Sequence, residues 1–441
     1  MSTLASQKLY ERAVESIPAG THSNSRFRSP HPLYFSQAEG PYIWDVDGNR
    51  YIDCVMGNGA VILGHNHPAV REAIEKQLET GINGGLETEL SVALAEKFLS
   101  LVSTAEMVRF TNTGTEAAMH AIMMARAYTG RQDVAKVEGA YNGWYDCVHV
   151  STWPDLTRAG AAGQPVPLPG TAGLDDRAVE STVVLPFNDS RAAERILRAN
   201  QDRLAAVILE PVMIDIGFIP AKKEYLETIR AVTEELGIVL IFDELLTGFR
   251  LARGGAQEYY GITPDLSIFG KALTDGQIMA AVAGQRRFMD VSAPGPGRCA
   301  FVGTYNGHQV SVAAGMATLD ILADGRVISE LDRKTQDLKE EFRRLAAKYG
   351  VPARMQGQGG HFQWYFNSRE VTNYREAAAS DREAYAVFQS TLMERGIYTS
   401  ANYLLHHALS YTHGEEVLAE LVTAMDEGLR RVAAGSQVRG R

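Results

Sequence analysis

Cysteine is scarce in this chain of 441 residues: Cys54, Cys147 and Cys299 are its only three, far apart and without metal-like pairing. That scarcity excludes a disulfide framework, and each thiol reads as a small buried hydrophobe. His65 and His67 in "LGHNHP" are spaced like a ligand pair, but no Cys or His cluster elsewhere completes a site, so no metal is expected. The run of roughly 18 apolar residues that a bilayer crossing needs is also missing. The N-terminus, "MSTLASQKLYERAVESIP", shows mixed charge and a helical apolar rhythm where a secretion signal would have an apolar core. A cytoplasmic location is expected. Positive charge is in deficit: 43 Lys and Arg stand against 53 Asp and Glu, a net charge of −10, which argues against nucleic acid as the main partner.

The length points to two domains, or one large domain with an appendage. Through the middle of the chain apolar runs alternate with helical patterns, as in an α/β domain around a mostly parallel sheet. The strand candidates are 107–110, 134–138, 205–210, 239–244, 266–271 and 280–284. Helices are expected in "TEAAMHAIMMARAYTG" and "KEYLETIRAVTEELG", closed by Gly130 and Gly237. "PYIWDVDGNRYID" reads as a hairpin turning at Asp47-Gly48. Beyond residue 310 come long amphipathic helices with one strand-like piece, "GGHFQWYF". The Gly- and Pro-rich stretch 152–182 reads as a long surface loop of the kind that forms lids.

Three strand candidates end in charged residues: Glu210, the Asp243/Glu244 pair and Lys271. Ligands of open α/β sheets bind beyond the carboxyl ends of strands. A lysine there can form a Schiff base with an aldehyde, and pyridoxal 5'-phosphate is the aldehyde cofactor that needs one. Asp243 would then keep the cofactor's ring nitrogen protonated. In "FTNTGTEAAMH", Thr113, Gly114 and Thr115 open a helix whose free N–H groups suit a phosphate; a plain threonine N-cap with Glu116 in the first turn is the alternative. Tyr141, just past a strand, could stack on the pyridine ring or serve as a core residue.

The ordered motifs "NTGTEA", "EGAYNGWYD", "LEP", "FDELLTGFR", "FGK" and "GTYNGHQVSVAAG" resemble those of the class III, fold-type I pyridoxal-phosphate aminotransferases. The likeness covers nearly the whole chain and is closest to the branch of glutamate-1-semialdehyde aminomutase and the β-phenylalanine aminotransferases. It implies an α/β large domain with a mostly parallel seven-stranded sheet, residues 66–315, and a smaller α+β domain from both termini, residues 1–65 and 316–441. It implies Lys271 as the cofactor-bearing, proton-shuttling lysine, Asp243 on the ring nitrogen, Thr113, Gly114 and Thr115 on the phosphate, Tyr141 on the ring face, and Glu210 near the cofactor. Thr304 matches a threonine that reaches the phosphate of the other subunit, implying a homodimer with shared sites. Arg26, in "THSNSRFR", matches the arginine that holds the substrate carboxylate, with Arg28 a nearby competitor.

This chain departs from the resembled pattern in several places. Asn142 stands where Tyr-His-Gly is common, and Asp215 where the aminomutase-like pattern has asparagine near the cofactor's phenolic oxygen. "NYLLHHALS" replaces "SQFEAGFLS", so that Leu405 takes the place of the aminomutase glutamate. The expected activity is a ping-pong aminotransferase working between an amino donor, of β- or other non-α type, and an oxo-acid acceptor. An aminomutase or racemase on the same scaffold is the alternative, and a silent binding module the third reading.

Overall fold

The computed structural model describes residues 2–439, so Met1, Gly440 and Arg441 of the expected terminal segments lie outside it. Seven strands form the main sheet, in the spatial order Met107–Thr111, Ala280–Gly284, Leu266–Phe269, Val239–Asp243, Leu204–Leu209, Asp133–Val137, Thr182–Leu185. Ala280–Gly284 runs antiparallel to both of its neighbours and the remaining pairs are parallel, so six strands point the same way. Every residue of Leu204–Leu209 and of Val239–Asp243 is buried, because helices cover both faces of the sheet.

All six expected strands are present. The seventh, Thr182–Leu185, was not among the expected strands; it forms an edge of the sheet just where the expected loop 152–182 ends, and the correction within that stretch is the short helix Asp176–Glu180. The rest of that stretch is not free either. A two-residue hairpin, Gly160–Ala161 with Gln164–Pro165, is held by Arg375, whose Nη1 donates to Gly160 O at 2.9 Å. The guanidinium is itself anchored on Glu138, at 2.8 Å through both Nε and Nη2.

The helix Gly114–Thr129 begins with a capping box between Thr113 and Glu116 and ends at Gly130 in the left-handed region. Both chain ends meet in a smaller body. Tyr42–Asp45 and Arg50–Asp53 form the expected hairpin, Phe35–Glu39 pairs on its outer side, and Ile397–Tyr398 adds parallel to Arg50–Asp53. The long helices Arg326–Tyr349 and Glu415–Arg439 pack beside a second small sheet that contains His361–Tyr365. None of the helices in the described residues is long and apolar enough to cross a membrane.

Candidate active site

Six strands pointing one way bring their carboxyl ends to one edge, and the residues after them converge there. Lys271 follows Leu266–Phe269 with φ of 50°, a left-handed conformation that costs a side-chain-bearing residue energy and is common where function fixes a position. Its amine keeps some solvent access but sits in dense surroundings, and desolvation holds its pKa below the ordinary lysine value. The carboxyls of Asp215, Asp243 and Glu210 act in the opposite sense. One lysine therefore lies in the field of three acids.

Those acids differ. Asp243 is 3% exposed; its Oδ2 accepts from Asn142 Nδ2 at 2.9 Å and its Oδ1 from the Leu245 N–H at 3.1 Å. Burial raises its pKa, while the Asn142 and Leu245 bonds and the lysine lower it. Glu210 is driven well up by burial first and by the negative fields of Asp243 and Asp215 next. It accepts the Ile214 N–H on Oε2 at 3.1 Å and leaves Oε1 without a partner. Asp215 is raised to about 6, by burial first and by Asp243, with Lys271 opposing. Glu244, adjacent in sequence to Asp243, does something else: its carboxylate accepts from the backbone N–H of Ala256 at 2.6 Å and of Gln257 at 2.8 Å, capping the helix Ala256–Tyr260.

Tyr141 completes one wall. Its ring lies nearly parallel to Trp153, 16° apart with centroids at 6.3 Å, and meets His149 edge-on at 6.4 Å. Burial and the Asp215 and Asp243 charges push the phenol up, and Thr115 eases it back. Asn142 is fully buried and leaves its Oδ1 unpaired.

At the helix mouth the Thr113 hydroxyl accepts from the Glu116 N–H at 3.2 Å, so the capping alternative holds for this side chain. Gly114 lies against Leu245, whose methyls occupy the space a Cβ would need, so a larger residue there would have to displace that side chain. Thr304 is exposed, and the structure brings no Lys271-site group to it; its carbonyl accepts from Asn83 Nδ2 at 3.2 Å. Arg28 is committed to Thr399 O and to the ring of Tyr398, 5.2 Å away. Arg26 is exposed, and its side chain forms neither a hydrogen bond nor an ion pair among the described residues, so of the two guanidinium groups it is the unengaged one. His65 hydrogen-bonds Asp53 through Nε2 at 2.8 Å.

The sequence reading missed Lys136. It lies fully buried within a strand, its Nζ donating to Ala140 O and Val150 O at 2.7 Å each and to Thr152 Oγ1 at 3.2 Å, which ties together the segments carrying Tyr141 and Trp153. A lysine flanked by apolar residues in a fully buried strand was the signal that could have found it.

A buried acid that ends a strand, a lysine beside it, an aromatic wall and a helix N-terminus define a pyridoxal-phosphate-dependent enzyme of fold type I. The donor set fits that cofactor: three crowded acids gain from a cationic ring nitrogen, and the orphaned Oδ1 of Asn142 and Oε1 of Glu210 offer unmet acceptors. The sequence profile of class-III aminotransferases matches residues 24–427, and the chain belongs to that family. It is 39% identical over 422 residues to the glutamate-1-semialdehyde 2,1-aminomutase of Methanocaldococcus jannaschii, covering 96% of this chain and 97% of that one. An omega-transaminase from Sphaerobacter thermophilus superposes with TM-score 0.93 at 36% identity, over 97% and 98% of the two chains. A β-phenylalanine aminotransferase from Variovorax paradoxus does so with TM-score 0.87 at 28% identity, over 98% and 95%. The protein is an enzyme and uses pyridoxal phosphate.

Proposed function

We propose that the protein is an aminotransferase that moves an amino group from a β- or other non-α amino acid to an oxo acid, the two substrates taking turns in one site. Bound there, pyridoxal phosphate supplies the electrophilic carbon and the electron-withdrawing ring. Asp243, oriented by Asn142 and the Leu245 N–H, holds a proton on the ring nitrogen. Lys271 would hold the cofactor, and once the substrate's amine has taken its place its depressed pKa would let the freed, neutral amine take a proton from the substrate carbon and return it. Tyr141 and Trp153 fix the plane of the ring. Thr115 and the N–H groups of Gly114–Thr129 receive the phosphate, with Thr113 as the cap. Glu210 and Asp215 flank the ring, and Arg26 takes the substrate carboxylate.

Position 405 carries the choice of transfer over internal rearrangement. The half-buried Leu405 stands where the aminomutase pattern has a glutamate, and it cannot hold or move a proton. The name shared by the curated relatives favours the second reading, an aminomutase, over this one. The two separate on adding an amino acid to the holoenzyme with and without an oxo acid. Transfer requires the acceptor and converts it stoichiometrically; product formed from a single compound with no acceptor assigns the aminomutase instead.

The same reading includes a homodimer in the cytoplasm. Its support is Thr304 lying exposed on the rim of a cavity of about 850 Å³, beside Leu86 and Val302, which are 83% and 78% exposed. Large apolar side chains this bare suit burial against a second copy.

A further inference from the structure

Two histidines far apart in sequence meet beside the lysine. His361 pairs with Ala408, and Phe362 with His407, across an antiparallel ladder. Side chains alternate along strands, so Phe362 and His407 share one face, where their rings stack at 5.6 Å with Trp364 close by. His361 and His406 fall on the other face, rings 4.9 Å apart and 80° to one another. They are 1% and 5% exposed, and Gly59 closes on the first so tightly that a Cβ there would strike its Cε1.

None of the four ring nitrogens has a hydrogen-bond partner. The weak backbone influences of His407 on His361 and of Asn58 on His406 fall outside hydrogen-bonding geometry. Both rings feel Lys271 and Arg250, and burial with those two cations keeps them neutral, each with one N–H and one lone pair. Arg250, 1% exposed, donates to Gly59 O at 2.9 Å and Leu409 O at 3.3 Å, leaves Nε unpaired and forms no ion pair among the described residues. Asp275, whose charge acts on it, is engaged by the N–H groups of Ile62 and Leu63 at 2.7 and 2.8 Å. A buried cation that forms no ion pair, its nearest acid being held by two backbone N–H groups, and four unmet nitrogens in one cluster call for an anion with several acceptor sites.

We propose that His361 and His406 are a specificity-determining pair that receives a substrate carboxylate, each ring donating one N–H to it within the field of Arg250. The proposal rests on the pyridoxal-phosphate reading of Lys271 and deepens it: the site prefers amines and oxo compounds that bear a carboxylate. With Arg26 also receiving a carboxylate, as proposed above, the site would take a dicarboxylic oxo acid at both positions.

The test is calorimetric titration of the holoenzyme with butanoate, an acid with no amine to react. Butanoate should bind the natural protein, and Kd should rise roughly tenfold or more in His361→Phe and in His406→Phe, the loss of a hydrogen bond to a charged group. The kcat/KM ratio of 3-aminobutanoate over 2-aminobutane should fall by a similar factor. Absence of butanoate binding, or an unchanged Kd in both variants, overturns the proposal. If neither variant folds, histidine-selective 15N spectra of the natural holoenzyme decide: butanoate must shift two ring signals, and unmoved signals overturn it. The cofactor's absorbance reports separately on the underlying reading, because a protein that binds no cofactor at Lys271 fails there, whatever butanoate does.

Discussion

Two adjacent carboxylates, Asp243 and Glu244, end the same strand and have different work. Asp243 faces the lysine and is held by an amide and a backbone N–H; Glu244 turns away to cap a helix. Asp243→Ala should abolish turnover and weaken cofactor retention, whereas Glu244→Gln should leave the cofactor band in place and lower stability by about 1–3 kcal/mol, as a weakened buried acceptor does. Absorbance spectra and urea unfolding of the two variants separate these outcomes. Asn142→Leu removes a bond that lowers the Asp243 pKa, so that pKa should rise and the cofactor Kd should increase about tenfold, read by equilibrium dialysis. Which of the two acids faces the lysine was not legible in the sequence, since alternation along a strand says only that neighbours face opposite ways.

Among elements, the strands were legible because each is a run of buried branched residues ended by a charge, and the helices because glycines close them. Thr182–Leu185 was not, being short and preceded by loop-like composition. Nor was the reason for Gly114, which depends on Leu245 from a distant strand end. The segments bearing Tyr141 and Trp153 hang on the Lys136 amine, whose pKa burial lowers from 10.5 to about 7. Between those values the unfolded chain holds a proton that the folded chain has released. Stability therefore climbs as pH rises from about 7 towards 10.5 and is indifferent to this group below 7. In Lys136→Met that climb should vanish from a plot of Tm against pH, and the cofactor should dissociate more readily; an unaltered slope would mean that the lysine is not the buried, neutralised group described. Thr113→Ala should cost about 1 kcal/mol of thermal stability through loss of the cap.

At the scale of the whole molecule, the order of the motifs along the chain conveyed the family, the cofactor and the seven-stranded sheet before any coordinate did. What it could not convey was assembly in space: that His361 and His406 would meet, or that Arg250 would lie buried beside them. Thr304, Leu86 and Val302 are exposed, and the proposed homodimer would cover them. Light scattering should give twice the 48.2 kDa of a single chain. Mixing Thr304→Ala with Lys271→Ala protein should restore partial activity if sites are shared between copies; a monomer mass with full activity would refute that arrangement.

The central claim concerns one amine, that of Lys271. Reduction of the holoenzyme with borohydride, followed by proteolysis and mass spectrometry, fixes the cofactor where it is bonded. The pyridoxyl group should be found on the peptide containing Lys271. Its recovery on Lys136, a fully buried lysine inside the strand Asp133–Val137, or on no lysine at all, would contradict the account.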